Sequence, residues 1–137
     1  MTAEENKRLV ARFLDEVYNR GNLAVADELV ADDYTSHNQL QIEVLGPEGI
    51  KAAARTQRAA FPDQQTIIEE MIAEGDLVAV RARDRGTHSG AAFAGIEARG
   101  NRFEITWIDI FRVRDGKLRE AWLEINVADF RRQLTGD

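Results

Sequence analysis

Asp109 stands where every second residue is otherwise apolar, since positions 103, 105, 107, 109, 111 and 113 are Phe, Ile, Trp, Asp, Phe and Val. Period-2 alternation over Arg102 to Val113 places these residues on one face of a strand, so one carboxylate faces an apolar surface. A charged, unpaired carboxylate there costs roughly several kcal/mol unless its pKa rises or a partner stabilises it. A carboxylate tuned in that way is what cofactor-free proton transfer requires. The alternative is a core aspartate satisfied by a hydroxyl or an indole N–H. Asp84 raises the same question, because it shares a strand face with Val78, Val80 and Ala82. Arg81, Arg83 and Arg85 occupy the opposite face and read as a solvated surface.

The composition narrows the chemistry further. The chain has no cysteine, which removes disulfides, thiolate metal sites and cysteine nucleophiles. His37 and His88 are the only histidines and lie far apart, so neither zinc nor iron is expected, and no organic cofactor is implied. A net charge of −6 argues against a nucleic-acid surface. The acidic start, Met1-Thr2-Ala3-Glu4-Glu5-Asn6, lacks the basic and then apolar run of a secretory signal. No apolar stretch approaches the roughly 20 residues of a membrane span. We therefore expect a cytoplasmic protein whose partner is a small molecule, with no nucleic acid and no membrane involved.

Thr2 and Glu5 form a candidate capping box, and Leu9, Val10, Phe13, Leu14 and Val17 repeat at helical spacing until Gly21. Asn22 is a candidate cap for a shorter helix ending near Asp32-Asp33, and Tyr34 to Asn38 reads as a short extended segment. Gly46-Pro47-Glu48 opens a third helix that ends at Phe61-Pro62-Asp63. Thr66 to Ala73 and Leu77 to Thr87 form one hairpin, and a loop from Gly90 to Asn101 follows. Arg102 to Val113 and Lys117 to Val127 form a second hairpin, turned by Asp115-Gly116. Val127 to Leu134 reads as one or two helical turns. At 137 residues this predicts a single domain over 1–137 of α+β class, with about three N-terminal helices covering one face of a curved antiparallel sheet and enclosing a pocket.

Several segments, taken in order, resemble the SnoaL-like polyketide cyclases of the nuclear-transport-factor-2-like superfamily. They are Phe13-Leu14-Asp15-Glu16-Val17-Tyr18-Asn19-Arg20-Gly21-Asn22, Asp33-Tyr34 with His37-Asn38, and Gly46-Pro47-Glu48-Gly49-Ile50-Lys51. Arg85-Gly86-Thr87-His88-Ser89-Gly90, then Phe111-Arg112-Val113-Arg114-Asp115-Gly116-Lys117-Leu118 with Trp122, and finally Gln133-Leu134 continue the match. The resemblance implies a cone-like fold, a frequently homodimeric assembly, and a deep pocket for a small hydrophobic ligand without metal or organic cofactor. It also implies an intramolecular aldol closure, in which a carboxylate removes a proton α to a carbonyl and the enolate attacks a ketone of the same molecule.

Carried over residue by residue, the resemblance also marks a departure. The family's catalytic aspartate falls on Leu123, while a pocket histidine of the cyclases falls on Asp109. Asp109 is the expected acid/base group, with Asp84, Asn38 or a histidine as polar support. Glu124 is the alternative if a bulge turns it inward. A non-catalytic ligand-binding protein is the competing reading, for which Leu123 is the decisive sign. The limonene-type epoxide hydrolases share the fold; Asp84 matches one of their aspartates, but Ala82 and Leu123 occupy the places of their arginine and second aspartate. Ser36 and Asn38 fall where those hydrolases hold water.

The other candidate ligand-contacting residues are Tyr18, Tyr34, Ser36, His37, Asn38, His88, Trp107 and Trp122. His88 also reads as the closing hydrogen bond of a turn. His37 alternates with Ser36 and Asn38, so only one of these two faces lines a pocket. Trp107, Trp122, Phe93 and Phe103 also fit a core or a pocket wall.

Overall fold

The computed structural model describes all 137 residues. Thr2 caps the first helix, its hydroxyl oxygen accepting the Glu5 N–H at 3.1 Å, and α1 spans Ala3–Phe13 with Leu9, Val10 and Phe13 buried. The helical run does reach Gly21, but its second half, Leu14–Asn19, is wound as a π-helix. Wider bonds close it, from Arg20 N–H to Asp15 O and from Asn22 N–H to Glu16 O. Such turns recur at functional positions because they shift side chains off the regular helical stripe. Replacing Thr2 by Ala should remove the cap and lower stability by about 1 kcal/mol. Urea unfolding checks this: the midpoint falls and the slope stays constant.

Helix α2 covers only Val25–Leu29, and the chain is already extended at Val30 rather than at Asp32-Asp33. Asn22 does not cap this helix with its side chain, which donates to Glu16 at 3.1 Å; Ala24 holds the cap position. Strand β1, Val30–His37, is therefore longer than the segment from Tyr34 that the sequence suggests. Val30, Ala31 and Tyr34 are buried in it, so sheet packing outweighs the helical spacing of Leu29 and Val30. Helix α3 runs Gly46–Ala60 with proline in its first turn, as expected.

The remaining strands are β2 (Gln65–Glu74), β3 (Leu77–Thr87), β4 (Arg102–Arg114) and β5 (Lys117–Ile125), and the sheet order is β1-β5-β4-β3-β2. The four long strands pair antiparallel, whereas β1 lies parallel to β5, with Ser36 beside Ala121 and His37 beside Trp122. Helix α4, Val127–Thr135, is longer than one or two turns. Asn126 caps it, and it stops at Gly136, whose φ of 80° suits glycine. The fold is thus α+β, a curved five-stranded sheet with helices on its inner side.

Two apolar clusters fill that side. The larger joins α1, α3 and the inner faces of β3 to β5; the smaller gathers Phe61, Phe93, Phe103 and Phe130 around the β3–β4 loop and α4. Phe61 packs 4.7 Å from Phe103 between ring centroids and 5.0 Å from Phe93. The loop is pinned against α3, where a Cβ on Gly90 would lie 1.9 Å from the Ala59 carbonyl oxygen, so only glycine fits. The outer face of the sheet carries charge pairs such as Arg81 with Glu70 at 2.7 Å and Arg83 with Glu69 at 3.0 Å. Across it also runs one less polar row, Ile72, Ala79, Ile110, Trp122 and His37, in register over all five strands.

Candidate active site

Between the inner face of the sheet and the helices lies a cavity with about 980 Å³ of atom-free space, its mouth included. Its walls are mostly apolar, with Phe13, Leu14, Trp107, Phe111, Leu123 and Ile125 among them. Alternation along β3 and β4 delivers both carboxylates into it, Asp84 and Asp109, as the sequence pattern requires. They are not immediate neighbours. Asp84 pairs across the strands with Ile105, and Asp109 with Val80, so Trp107 lies between them on the same face.

The two carboxylates are held differently. Asp84 accepts the Thr66 hydroxyl at 2.7 Å. Burial raises its pKa, while Trp107 and Thr66 pull it back by hydrogen bonding to the charged form. Asp109 has no such support. Its Oδ1 is enclosed without any hydrogen-bond partner, and burial pushes its pKa up to about 7, opposed only by the Ile110 backbone N–H. Both carboxyls are therefore shifted upward by burial, but Asp84 keeps two side-chain donors to its charged form and Asp109 only a backbone N–H, a difference in environment suited to acid/base work.

Two phenols share the cavity. Burial, and then the fields of Asp109 and Asp84, raise the pKa of Tyr18 above its ordinary value; burial, then Asp109 and Tyr18, raise that of Tyr34, with Ser36 acting in the opposite direction. Both remain neutral hydrogen-bond donors at physiological pH. Tyr18 comes from the π-helical segment, which is fastened at two points. Asn19 donates to the Thr66 carbonyl at 3.0 Å and accepts the Thr66 N–H at 2.7 Å. Arg58 of α3 donates to the carbonyls of Tyr18 and Asn19 at 3.1 and 2.9 Å. Gly21 leaves room for that guanidinium, since a Cβ there would lie 2.7 Å from Arg58 Nε.

Of the residues singled out from sequence, Asp109, Asp84, Tyr18, Tyr34, Ser36, Asn38, Trp107 and Leu123 line the cavity. Asn38, however, is occupied: its amide accepts the Ile42 N–H at 3.2 Å and donates to the Ile42 carbonyl at 2.8 Å, bracing the loop at the mouth. His37, His88, Trp122 and Glu124 lie elsewhere. Because Ser36 faces inward, His37 faces outward, where it stacks on Trp122 at 5.6 Å and meets Glu120 at 2.7 Å. Trp122 is turned out as well, 5.7 Å beneath the Arg112 guanidinium. Glu124 sits opposite Ile108 on the outer face and accepts the Gln39 side chain; the β4–β5 register shift at Arg112/Val113 sets the alternation of β5 so that this residue points outward. His88 is fully buried beside Phe61 and closes its turn through Nε2, 2.8 Å from the Ala91 carbonyl.

Sequence reasoning missed Thr66, Asn19, Arg58 and the Gln57–Gln64 pair, which hydrogen-bond at 3.2 Å in the cavity wall. Thr66 alone left a signal, as a polar residue at the inward phase of β2. No group of three or more His, Cys, Asp or Glu side chains is placed to hold a metal ion, and no helix is long and apolar enough to cross a membrane.

Comparison with known proteins agrees with this geometry. The sequence model of a family described as SnoaL-like polyketide cyclase matches residues 8–134. Aklanonic acid methyl ester cyclase DauD of Streptomyces sp. (strain C5) is 30% identical over 114 residues, covering 81% of this chain and 70% of the relative. DnrD of Streptomyces peucetius, of the same description, is also 30% identical over 114 residues, covering 81% and 78%. The structure of TsrD from Streptomyces laurentii superposes with a TM-score of 0.87 at 29% identity, covering 98% and 97% of the two chains.

Proposed function

The chain belongs to the SnoaL-like polyketide cyclase family, and on that premise we propose that it is a cofactor-independent cyclase closing a ring in a small, hydrophobic, enolisable polyketide-type molecule. Asp109 is the base. It takes a proton from the carbon α to a carbonyl, the enolate carbon attacks a ketone of the same molecule, and the protonated Asp109 returns its proton to the new alkoxide. Tyr18 and Tyr34 donate hydrogen bonds to the oxygens on which charge develops. Asp84, fixed by Thr66, keeps the polar side of the cavity ordered. The relatives are aklanonic acid methyl ester cyclases, and an ester of that type is the first substrate to test.

The observation that carries this reading is the unpaired, enclosed Oδ1 of Asp109 directly across the strand pair from Leu123. The carboxylate missing from the family position stands one strand away on the same face. The test is turnover of the methyl ester by the wild-type chain and by Asp109→Asn: ring closure by the first and not by the second supports the assignment, and equal rates refute it.

Leu123 also favours a second reading, a ligand-binding protein without catalysis. In that case neither chain closes the ring, although both bind the ester. Epoxide hydrolysis of the limonene type has less support, because Ala82 is fully buried at the arginine place and the Asn38 amide is committed to Ile42.

The protein also works as a homodimer in this reading, joined through the outer row of the sheet. Ile72 is 69% exposed and Ile110 38% exposed there, between rows of opposite charges that a second copy can match. Light scattering should give twice the 15.4 kDa chain mass, and Ile110→Asp should halve it. A monomeric wild type would contradict the pairing.

A further inference from the structure

No lysine, arginine or histidine is among the 25 residues that line the cavity, yet two aspartates are. Aromatic rings surround one of them. Trp107 and Phe111 flank Asp109 on its own strand face, and Tyr18 and Tyr34 approach it from the π-helical segment and from β1. Phe13 meets Tyr18 at 5.7 Å and 83° and Phe111 at 6.1 Å and 73°, so the rings stand edge to face rather than stacked flat. A carboxylate without a counter-ion among aromatic rings is the chemistry that recognises an alkylammonium ion. Accepting Asp109 as the functional carboxylate of the proposed site, we propose that the cavity binds hydrophobic amines as ammonium ions, the charge seated beside the Asp109 carboxylate and the aromatic or aliphatic body along the apolar wall.

An ammonium ion supplies the counter-charge that the Asp109 carboxylate lacks in this wall. Asp84 adds a second negative field, and no cation in the wall competes for either group. A ligand carboxylate would meet both aspartates with no counter-ion, so it is excluded. The groups facing Asp109 are Asp84 from β3, neutral Tyr18 from the π-helical segment and neutral Tyr34 from β1; α3 contributes Gln57, β2 contributes Thr66, and β5 contributes Leu123 and Ile125, none of them charged. Because burial holds Asp109 near 7, amine binding strengthens as pH rises through about 7 and weakens below it.

Three probes of nearly one shape test this by isothermal titration calorimetry: N,N-dimethyl-1-naphthylmethylamine (a cation), 1-naphthylacetamide (neutral) and 1-naphthylacetate (an anion). At pH 8 the cation should bind at least tenfold more tightly than the amide, and the acetate should not bind. The preference should collapse at pH 5.5 and in Asp109→Asn, with amide affinity unchanged in that variant as proof that the cavity is intact. Equal binding of cation and amide, binding of none, or a preference that survives Asp109→Asn overturns the proposal. These titrations need no turnover, so their failure leaves the cyclase reading standing, and a catalytically silent protein can still pass them.

Discussion

Asp109→Asn is expected to lower kcat by about 10² to 10⁴, the usual worth of a general base, while the Michaelis constant changes little. Asparagine preserves shape and a hydrogen-bonding tip but cannot take a proton, so only the step that needs the base should suffer. In the wild type the rate should climb with pH to a plateau above about 7, because the group must be ionised to act and burial holds it there. The phenols of Tyr18 and Tyr34 stay protonated over that range and should add no basic limb below their raised values. The strand register supplies a rescue. Leu123 lies directly opposite Asp109, so Asp109→Asn combined with Leu123→Asp moves the carboxylate one strand across to the family position and should recover part of the lost rate. Leu123→Asp alone should slow the enzyme, since two adjacent carboxylates titrate as a coupled pair and each hinders ionisation of the other.

The same carboxyl should also shape the stability of the protein. Its folded pKa of about 7 lies above the ordinary 3.8, so between those values the folded protein keeps a proton that the unfolded chain releases. Stability from this group is therefore complete below about 4 and declines as pH rises through about 7. Over that window the wild type should lose on the order of 3 kcal/mol relative to Asp109→Asn. Urea titrations of both proteins at pH 4.5 and pH 8 measure this double difference. Parallel behaviour of the two would show that Asp109 is solvated in the folded state.

Asp109 was legible in the sequence because β4 alternates without interruption over its whole length, so phase alone places the carboxylate inside. The same rule fails on β5. Leu118 and Ala121 are both buried although three residues apart, because the register shift opposite Arg112/Val113 adds a residue and resets the phase. That reset turns Trp122 and Glu124 outward and Leu123 inward. The parity of β1 then follows from its neighbour: Ser36 lies beside inward Ala121 and His37 beside outward Trp122. A short strand with polar residues at both phases carries no such information by itself. The π-helical winding and the clamps by Asn19 and Arg58 depend on contacts about 40 or more residues away in the chain, which local periodicity cannot register. The start of α1, helix α3, both hairpins and the two inward aspartates needed only spacing and turn chemistry, and so were readable.

Proton abstraction can be watched without waiting for ring closure. The wild-type protein and Asp109→Asn, each mixed with the enolisable ester in deuterated buffer at pD 8, are compared by the rate at which deuterium enters the carbon α to the carbonyl. Fast exchange by the wild type, reduced by about 10² or more in Asp109→Asn, is the predicted result. Exchange at the same rate in both proteins would contradict the assignment of Asp109 as the base.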